Sequence, residues 1–135
     1  MNDTLNDGDR ILINEFSDIE RYDVIVFEAK EDYYCIKRVY GLPGETVQIL
    51  DDGTILINGE AIEDKYATEV LEDPGIAAQE ITLSDNEYFV LGDNRNNSLD
   101  SRSELIGLVD EDSILGIASL RFYPFNSFGL VKNIE

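Results

Sequence analysis

The sequence lacks histidine and tryptophan and has one cysteine, Cys35, and three prolines. Without histidine, imidazole acid–base catalysis and histidine metal ligation are excluded. A single cysteine cannot form a disulfide within the chain. No stretch approaches the roughly 18 apolar residues that read as a membrane helix. Any catalytic group must therefore be a serine, lysine, tyrosine, cysteine or carboxylate, and we predict no metal and no other cofactor.

Positive charge is also scarce, with 10 lysines and arginines against 29 acidic residues and a net charge of −19. Such a chain repels the phosphates of nucleic acids and of anionic lipids. We therefore predict no nucleic-acid partner. The 43% of hydrophobic residues is typical of a globular protein. The length predicts one continuous domain over residues 1–135.

Short apolar runs separated by turn residues predict many strands and little helix. The predicted strands cover residues 10–14, 24–27, 33–40, 46–50, 54–58, 80–83, 88–91, 114–120 and 120–123. Asp51-Asp52-Gly53 predicts a hairpin, and Gly107 and Gly116 are predicted turn or bulge positions. Acidic residues 60–80 are predicted to form a surface excursion with weak structure. The predicted fold class is mainly β, an antiparallel barrel or sandwich-like fold.

Residues 92–102 form a polar loop of glycine, aspartate, asparagine, serine and arginine with a single apolar member, Leu99. The side chains of such a loop bond to one another, to backbone or to a ligand. An EF-hand is excluded, because position 3 would be Arg95 and position 6 would be Ser98. From composition alone, a solvated loop is the simplest interpretation.

Four segments, taken in order along nearly the whole chain, resemble bacterial type I signal peptidases. They are Met1-Asn2-Asp3-Thr4-Leu5 with Gly8-Asp9-Arg10, then Asp23-Val24-Ile25-Val26-Phe27, then Ile36-Lys37-Arg38-Val39-Tyr40-Gly41-Leu42-Pro43-Gly44-Glu45, and finally Gly92 to Arg102. Asp3 departs from the pattern, which has proline there. The short 60–80 segment and the single cysteine are similar to the smaller Gram-positive form of the family.

The resemblance implies a serine endopeptidase that uses a serine–lysine dyad to cleave signal peptides from exported preproteins at Ala-x-Ala-like sites. Lys37 matches the general base, and Ser98 matches the serine that orients it. A lysine base must be uncharged at neutral pH, so its pKa must lie well below the ordinary value of about 10.4. Burial lowers the pKa of an amine. Strand alternation puts Lys37 on one face with Cys35 and Val39, which gives it largely apolar neighbours.

The resemblance also assigns supporting and substrate-binding roles. Residues that match the structural support of the loop are Asp93, Asn94, Arg95, Asp100 and Arg102, and the last two are expected to form an ion pair. Residues that match the substrate-binding positions are Met1, Leu5, Val26, Tyr34, Cys35 and Ile36. The peptide is expected to lie extended against residues 34–36 as an edge strand. Ser101 matches no assigned role.

In the family the nucleophilic serine stands immediately before the methionine that matches Met1. The resemblance therefore implies that the nucleophile, the oxyanion-hole hydroxyl and a membrane helix precede Met1 in the natural protein. We expect residues 1–135 to be a soluble extracytoplasmic domain of a single-pass cell-membrane protein, inactive as a fragment. Its partners would be signal peptides and, in the full-length protein, the membrane surface.

Other interpretations stay open. A non-catalytic peptide-binding module would have the same groove without chemistry. A self-cleaving repressor-type domain would also use a serine–lysine dyad, although the 92–102 loop and the turn at 41–44 argue against it. The aromatic segment 121–130 is expected either to pack in the core or to contact the lipid interface.

Overall fold

The computed structural model describes residues 12–14, 18–30, 33–64, 66–67, 73–95 and 99–119. Helical structure within these ranges consists of short 3₁₀ turns, among them Gly75–Ala78 and Glu111–Ser113. The strands are β1 (Leu12–Asn14), β2 (Val24–Lys30), β3 (Tyr33–Gly41), β4 (Thr46–Ile49), β5 (Ile55–Ile57), β6 (Glu60–Ala61), β7 (Ile81–Thr82), β8 (Glu87–Leu91), β9 (Val109–Asp110) and β10 (Ile114–Ser119).

The strands form two sheets, and neighbouring strands within each sheet are antiparallel. The larger sheet has six strands in the order β1-β10-β2-β3-β8-β9, and the smaller has four in the order β6-β5-β4-β7. The prediction of a mainly β, antiparallel fold with little helix is confirmed. Within the described ranges, no helix has the length and hydrophobicity that a membrane span requires.

Apolar side chains from both sheets pack into one core. Its buried members are Tyr40, Val47, Ile49, Ile55, Ile57, Ala77, Leu83, Phe89 and Leu91. The chain passes from one sheet to the other at Gly41, where a Cβ atom would lie 2.7 Å from Val47 and 2.9 Å from Phe89. Only glycine fits this approach, because real Cβ contacts are not that short. A second cluster lies within the larger sheet and comprises Ile25, Phe27, Cys35, Val39, Tyr88, Val90 and Val109.

Turn chemistry accounts for most of the element boundaries. Gly53 has φ +92° between β4 and β5, where the sequence predicts a hairpin, and Gly107 has φ +64°. The register of β10 against β2 shifts between Ile114 and Gly116, which confirms the predicted irregularity. The two-residue strands β6 and β9 were not predicted, because pairing with β5 and β8 defines them and their own sequence does not. The predicted strand 120–123 lies outside the described residues.

Strand β3 lies inside the larger sheet, but its pairing with β8 in the described structure leaves residues 34–36 open on one side, as the expected edge strand would be. It pairs with β2 along most of its length and with β8 from Arg38 to Gly41. Its register against β8 shifts between Val39 and Gly41, which makes a bulge at Tyr40. Strand β8 ends at Leu91, opposite Arg38, and residues 33–37 continue past that end.

The segment 60–80 differs from the expected surface excursion in the parts that the structure describes. It contains β6 and the 3₁₀ turn Gly75–Ala78, and Ala77 is fully buried in the core between the sheets. Gly75, at φ +59°, lies so close to Arg102 that a Cβ atom there would collide with the Arg102 carbonyl oxygen. The Ile76 amide donates to that oxygen at 2.9 Å. This segment is therefore packed against the polar loop.

Candidate active site

Lys37 is completely buried in the middle of β3. Its register partner is Ile25 on β2, and its neighbours on the same face of β3 are Cys35 and Val39, all of which are also fully buried. Paired residues of antiparallel strands point to the same side of a sheet, so these side chains share the face of Lys37. Because burial disfavours the charged form of an amine, this setting suits a lysine that accepts protons.

The polar loop 92–102 begins directly after Leu91, the register partner of Arg38. Its start therefore lies about one position from Lys37 along β3. Ser98, with Asn96 and Asn97, lies outside the described residues. The expected contact between Lys37 and Ser98 therefore stays a prediction.

An ion pair joins the start of this loop to β3. Nε and Nη2 of Arg38 donate to the two carboxylate oxygens of Asp93 at 3.0 and 2.9 Å. The side chains are 6% and 1% exposed, so water screens the pair little. Arg38 also donates to the Tyr22 carbonyl at 2.9 Å and lies under the Tyr66 ring, 3.8 Å from its centroid. The pair attaches the loop to the residue that follows Lys37.

Asp100 organises the end of the loop. It accepts from Nε and Nη2 of Arg102 at 2.8 and 2.9 Å, so the expected ion pair is present. Asp100 also accepts from the backbone amides of Gly92 and Arg102 at 2.9 and 3.1 Å. Arg102 in turn donates to the carbonyls of Arg95 and Asp73 at 2.6 and 3.2 Å. One carboxylate thus closes the loop on itself.

Arg95 is the largest fully buried side chain in the described structure. It donates to Asp64 at 2.5 and 2.7 Å, to the Tyr40 hydroxyl at 2.8 Å and to the Gly92 carbonyl at 2.7 Å. The Tyr40 hydroxyl donates to Asp64 at 2.9 Å, so Arg95, Tyr40 and Asp64 form a closed triangle. Sequence reasoning named Arg95 and missed Asp64, which lies 31 residues away.

Burial and this triangle shift two pKa values. Burial raises the pKa of Tyr40 well above its usual range, and Asp64 raises it further although Arg95 opposes the shift. Burial by itself lowers the pKa of Arg95, but its bonds to Asp64 and its attraction to Tyr40 raise the pKa overall. Tyr40 is therefore a neutral hydroxyl and Arg95 a cation at neutral pH.

Ser101, to which the sequence assigned no role, is fully buried and bonded to β8. Its hydroxyl accepts from the Val90 amide at 2.9 Å, and its own amide donates to the Val90 carbonyl at 3.1 Å. It attaches the returning arm of the loop to the strand from which the loop departs. A serine in a polar loop gives no sequence signal for this role. Asn94, in the same loop, is partly buried.

A further ion pair, between Arg21 and Glu45, was also missed and secures the turn that follows β3. Arg21 donates to Glu45 at 2.8 and 2.7 Å and to the Tyr40 carbonyl at 2.8 Å, and Glu45 accepts from the Leu42 amide at 2.7 Å. Burial by itself raises the pKa of Glu45, but the bonds from Arg21 and Leu42 outweigh it and lower the pKa below its ordinary value.

The expected substrate-binding residues divide into three groups. Val26 and Ile36 are register partners on β2 and β3, and both are fully buried, as is Cys35. Tyr34 is partly exposed. Met1 and Leu5 lie outside the described residues, as does the aromatic segment 121–130. In the described part of the chain, no group of three or more cysteines and carboxylates is arranged to hold a metal ion.

Comparison with known proteins agrees with this arrangement. A family model described as signal peptidase, peptidase S26, matches residues 1–123. The chain is 36% identical to signal peptidase I T of Bacillus subtilis strain 168, a match that covers 96% of this chain and 72% of that protein. It is 34% identical to signal peptidase IB of Staphylococcus aureus strain MRSA252, covering 100% of this chain and 79% of the relative.

A solved structure is similar in both fold and sequence. The crystal structure of a signal peptidase I from Enterococcus faecalis V583 superposes with a TM-score of 0.63 at 34% identity, covering 76% of this chain and 98% of that one. These relatives come from Gram-positive genera, in agreement with the small form that the sequence suggests. From the family match and these identities, the chain belongs to the signal peptidase S26 family.

Proposed function

We propose that this protein is a serine endopeptidase that removes signal peptides from exported preproteins after a small residue in an Ala-x-Ala-like pattern. Lys37 is the general base, and the nucleophile is a serine placed immediately before Met1. Ser98 orients the lysine amine. Asp93, Asn94, Arg95, Asp100 and Arg102 hold the loop that carries Ser98.

The observation that carries this proposal is the setting of Lys37. Its side chain is 0% exposed, and it shares its face of the sheet with Ile25, its register partner, and with Cys35 and Val39 of the same strand. A lysine at the surface stays protonated at neutral pH, whereas an amine buried among apolar groups loses its proton more readily. Lysine-activated serine is one form of nucleophilic catalysis in peptidases.

The reaction then follows in two steps. The neutral Lys37 amine takes the proton of the serine hydroxyl while the oxygen attacks the scissile carbonyl, and the lysine returns the proton to the leaving amine as an ester forms. A water molecule that transfers a proton to the same lysine then attacks the ester, and the lysine gives that proton to the departing serine oxygen, which restores both groups. The rate of this chemistry increases with pH as the lysine loses its proton.

The substrate is an extended signal peptide that lies along the first half of β3, near residues 34–36, and beside Val26. The partners are therefore preproteins at the outer face of the cell membrane, where a single-pass anchor holds the domain. The net charge of −19 supports the absence of a nucleic-acid partner.

The test compares three polypeptides on a peptide with alanine at the first and third positions before the cut, in detergent. They are residues 1–135, the same residues extended by Ser-x-Ser ahead of Met1, and the extended chain with Lys37→Ala. Only the extended chain with Lys37 is expected to cleave, and its activity should rise with pH. Cleavage by residues 1–135 alone, or cleavage without Lys37, would refute the dyad.

A non-catalytic peptide-binding module is the second candidate. Ile36 and Val26, which match pocket positions, are paired on adjacent strands and do not depend on the nucleophile. A module of this kind would bind the peptide with the same affinity with or without the Ser-x-Ser extension, and would cleave it in neither form. Titration of the uncleaved peptide into both polypeptides separates the two functions.

A further inference from the structure

Described residues of segment 60–67 contact side chains that lie around the polar loop and strand β3. The Glu63 carbonyl accepts from the Tyr22 hydroxyl at 2.6 Å. Asp64 accepts two bonds from Arg95, and the Tyr66 ring lies on the guanidinium of Arg38. Arg38 and Arg95 are the two arginines that join the loop to β3, so the segment contacts the loop and the strand of Lys37 together.

Among these contacts, the carboxylate of Asp64 neutralises a buried charge, the guanidinium of Arg95. Arg95 is 1% exposed, and moving a cation out of water is costly unless an anion and hydrogen bonds compensate. Asp64 remains 23% exposed on the side chain, so it links the buried triangle to the surface. Its first oxygen binds both Arg95 and the Tyr40 hydroxyl, which fixes the guanidinium relative to β3.

Two members of the triangle are close in sequence to the lysine and the serine of the proposed site. Tyr40 is three residues after Lys37 on β3, and Arg95 is three residues before Ser98 in the loop. The Arg95 carbonyl also accepts a hydrogen bond from Arg102, which is paired with Asp100. The triangle is therefore connected to the end of the loop. A displaced Arg95 therefore changes the spacing between β3 and the loop.

We propose that Asp64 is a positioning residue for the peptidase reaction, which it supports by holding Arg95 against Tyr40 and thereby fixing the 92–102 loop relative to Lys37. This inference rests on the proposed function. It gives the 60–80 segment a role in the turnover rate although the segment supplies no reacting atom.

The experiment measures kcat and KM per folded site in the extended chain, well below the unfolding temperature of each variant. Asp64→Asn keeps the shape of the side chain but removes its charge, and it should lower kcat about 10- to 100-fold with little change in KM, as expected for a misplaced catalytic group. Asp51→Asn makes the same chemical change on the exposed hairpin and should leave both constants unchanged. A merely structural role would lower the unfolding temperature but leave kcat per folded site unchanged.

A double-mutant cycle isolates the triangle. Tyr40→Phe removes the hydroxyl that bonds to both Arg95 and Asp64 and keeps every charge, so it should lower kcat by itself and be non-additive with Asp64→Asn. If Asp64→Asn fails to fold, Tyr40→Phe alone decides. Unchanged kcat per folded site, a change confined to KM, or strict additivity would overturn the inference. An inactive parent chain would instead refute the proposed function.

Discussion

Lys37 and Arg38 are adjacent on β3 and both are buried, but the two faces of the strand surround them differently. The face of Lys37 also carries Cys35 and Val39 of β3 itself, and the neighbouring strand β2 contributes Ile25. On the other face Arg38 meets the carboxylate of Asp93 and the Tyr66 ring. The difference shows how strand alternation can place a buried lysine on an apolar face beside an arginine that is paired with a carboxylate on the other face.

Exchanging one cation type for the other gives the largest expected effect. Lys37→Arg keeps a positive side chain but replaces the amine with a guanidinium that stays protonated, so it cannot act as a base. In the extended chain we expect peptidase activity to fall by about 10²- to 10⁴-fold. Arg38→Lys is the matched exchange on the other face, and we expect it to reduce stability through loss of the paired guanidinium bonds. Activity that survives Lys37→Arg would break the comparison.

Removing the anion on the Arg38 face gives the next largest effect. Asp93→Ala leaves a nearly buried guanidinium without its carboxylate, and we expect it to destabilise the fold by about 3–5 kcal/mol. The measurement is chemical denaturation. Replacing both partners, with Arg38→Met and Asp93→Leu together, should cost less than Asp93→Ala, because no buried charge then remains. A double variant less stable than the single one would show that the pair itself is not the source of the cost.

Ser101→Ala extends the comparison to the backbone that joins the loop to β8. It removes the acceptor of the buried Val90 amide, and we expect a loss of about 1–3 kcal/mol. The control is Ser103→Ala, because the Ser103 hydroxyl accepts from the Leu105 amide at an exposed site where water can replace it. That control should change stability by about 0.5 kcal/mol or less. Equal effects of the two substitutions would contradict the buried role of Ser101.

Removing the Arg21–Glu45 pair, which is more exposed than the Arg38–Asp93 pair, is expected to change stability least. The pKa of Glu45 is lower in the folded protein than its ordinary value. Its contribution to stability is therefore present above the ordinary carboxylate pKa and is lost as the pH falls through the folded value. Such pairs contribute about 1 kcal/mol or less. Chemical denaturation at pH 7 and pH 3 should show that the free energy of unfolding falls less for Glu45→Gln than for the parent chain. Equal decreases in the two proteins would exclude a contribution of the Arg21–Glu45 pair to stability.

Local features were predictable because a few adjacent residues determine them. The apolar run at Val24, the turn glycine Gly53 and the alternation around Lys37 each indicate backbone conformation or burial without reference to the rest of the chain. The strands β2, β3, β4 and β8 accordingly lie within one to three residues of their predicted ends.

Features that depend on distant residues were not predictable. Asp64 is one of many acids in its segment, and only the fold brings it to Arg95. The interior position of β3 follows from pairing with β8, about fifty residues later in the sequence, which residues 33–41 do not indicate. The polar loop was recognisable from its resemblance to the family, but the partner of each of its charges was recognisable only for Asp100 and Arg102.

Because the bulge at Tyr40 lies after Lys37, it does not correct the register of the residues before it. An insertion or deletion there would change which face of the sheet each side chain occupies, whereas a substitution would not. Residues 34–38 keep one continuous register against β2, and the irregularity against β8 falls after Val39. Deleting one residue between Tyr33 and Lys37 would turn the lysine toward the carboxylate of Asp93, and deleting two would restore its side of the sheet. In this strand, an insertion or deletion of an odd number of residues would therefore move Lys37 to the other face, whereas an even number would not.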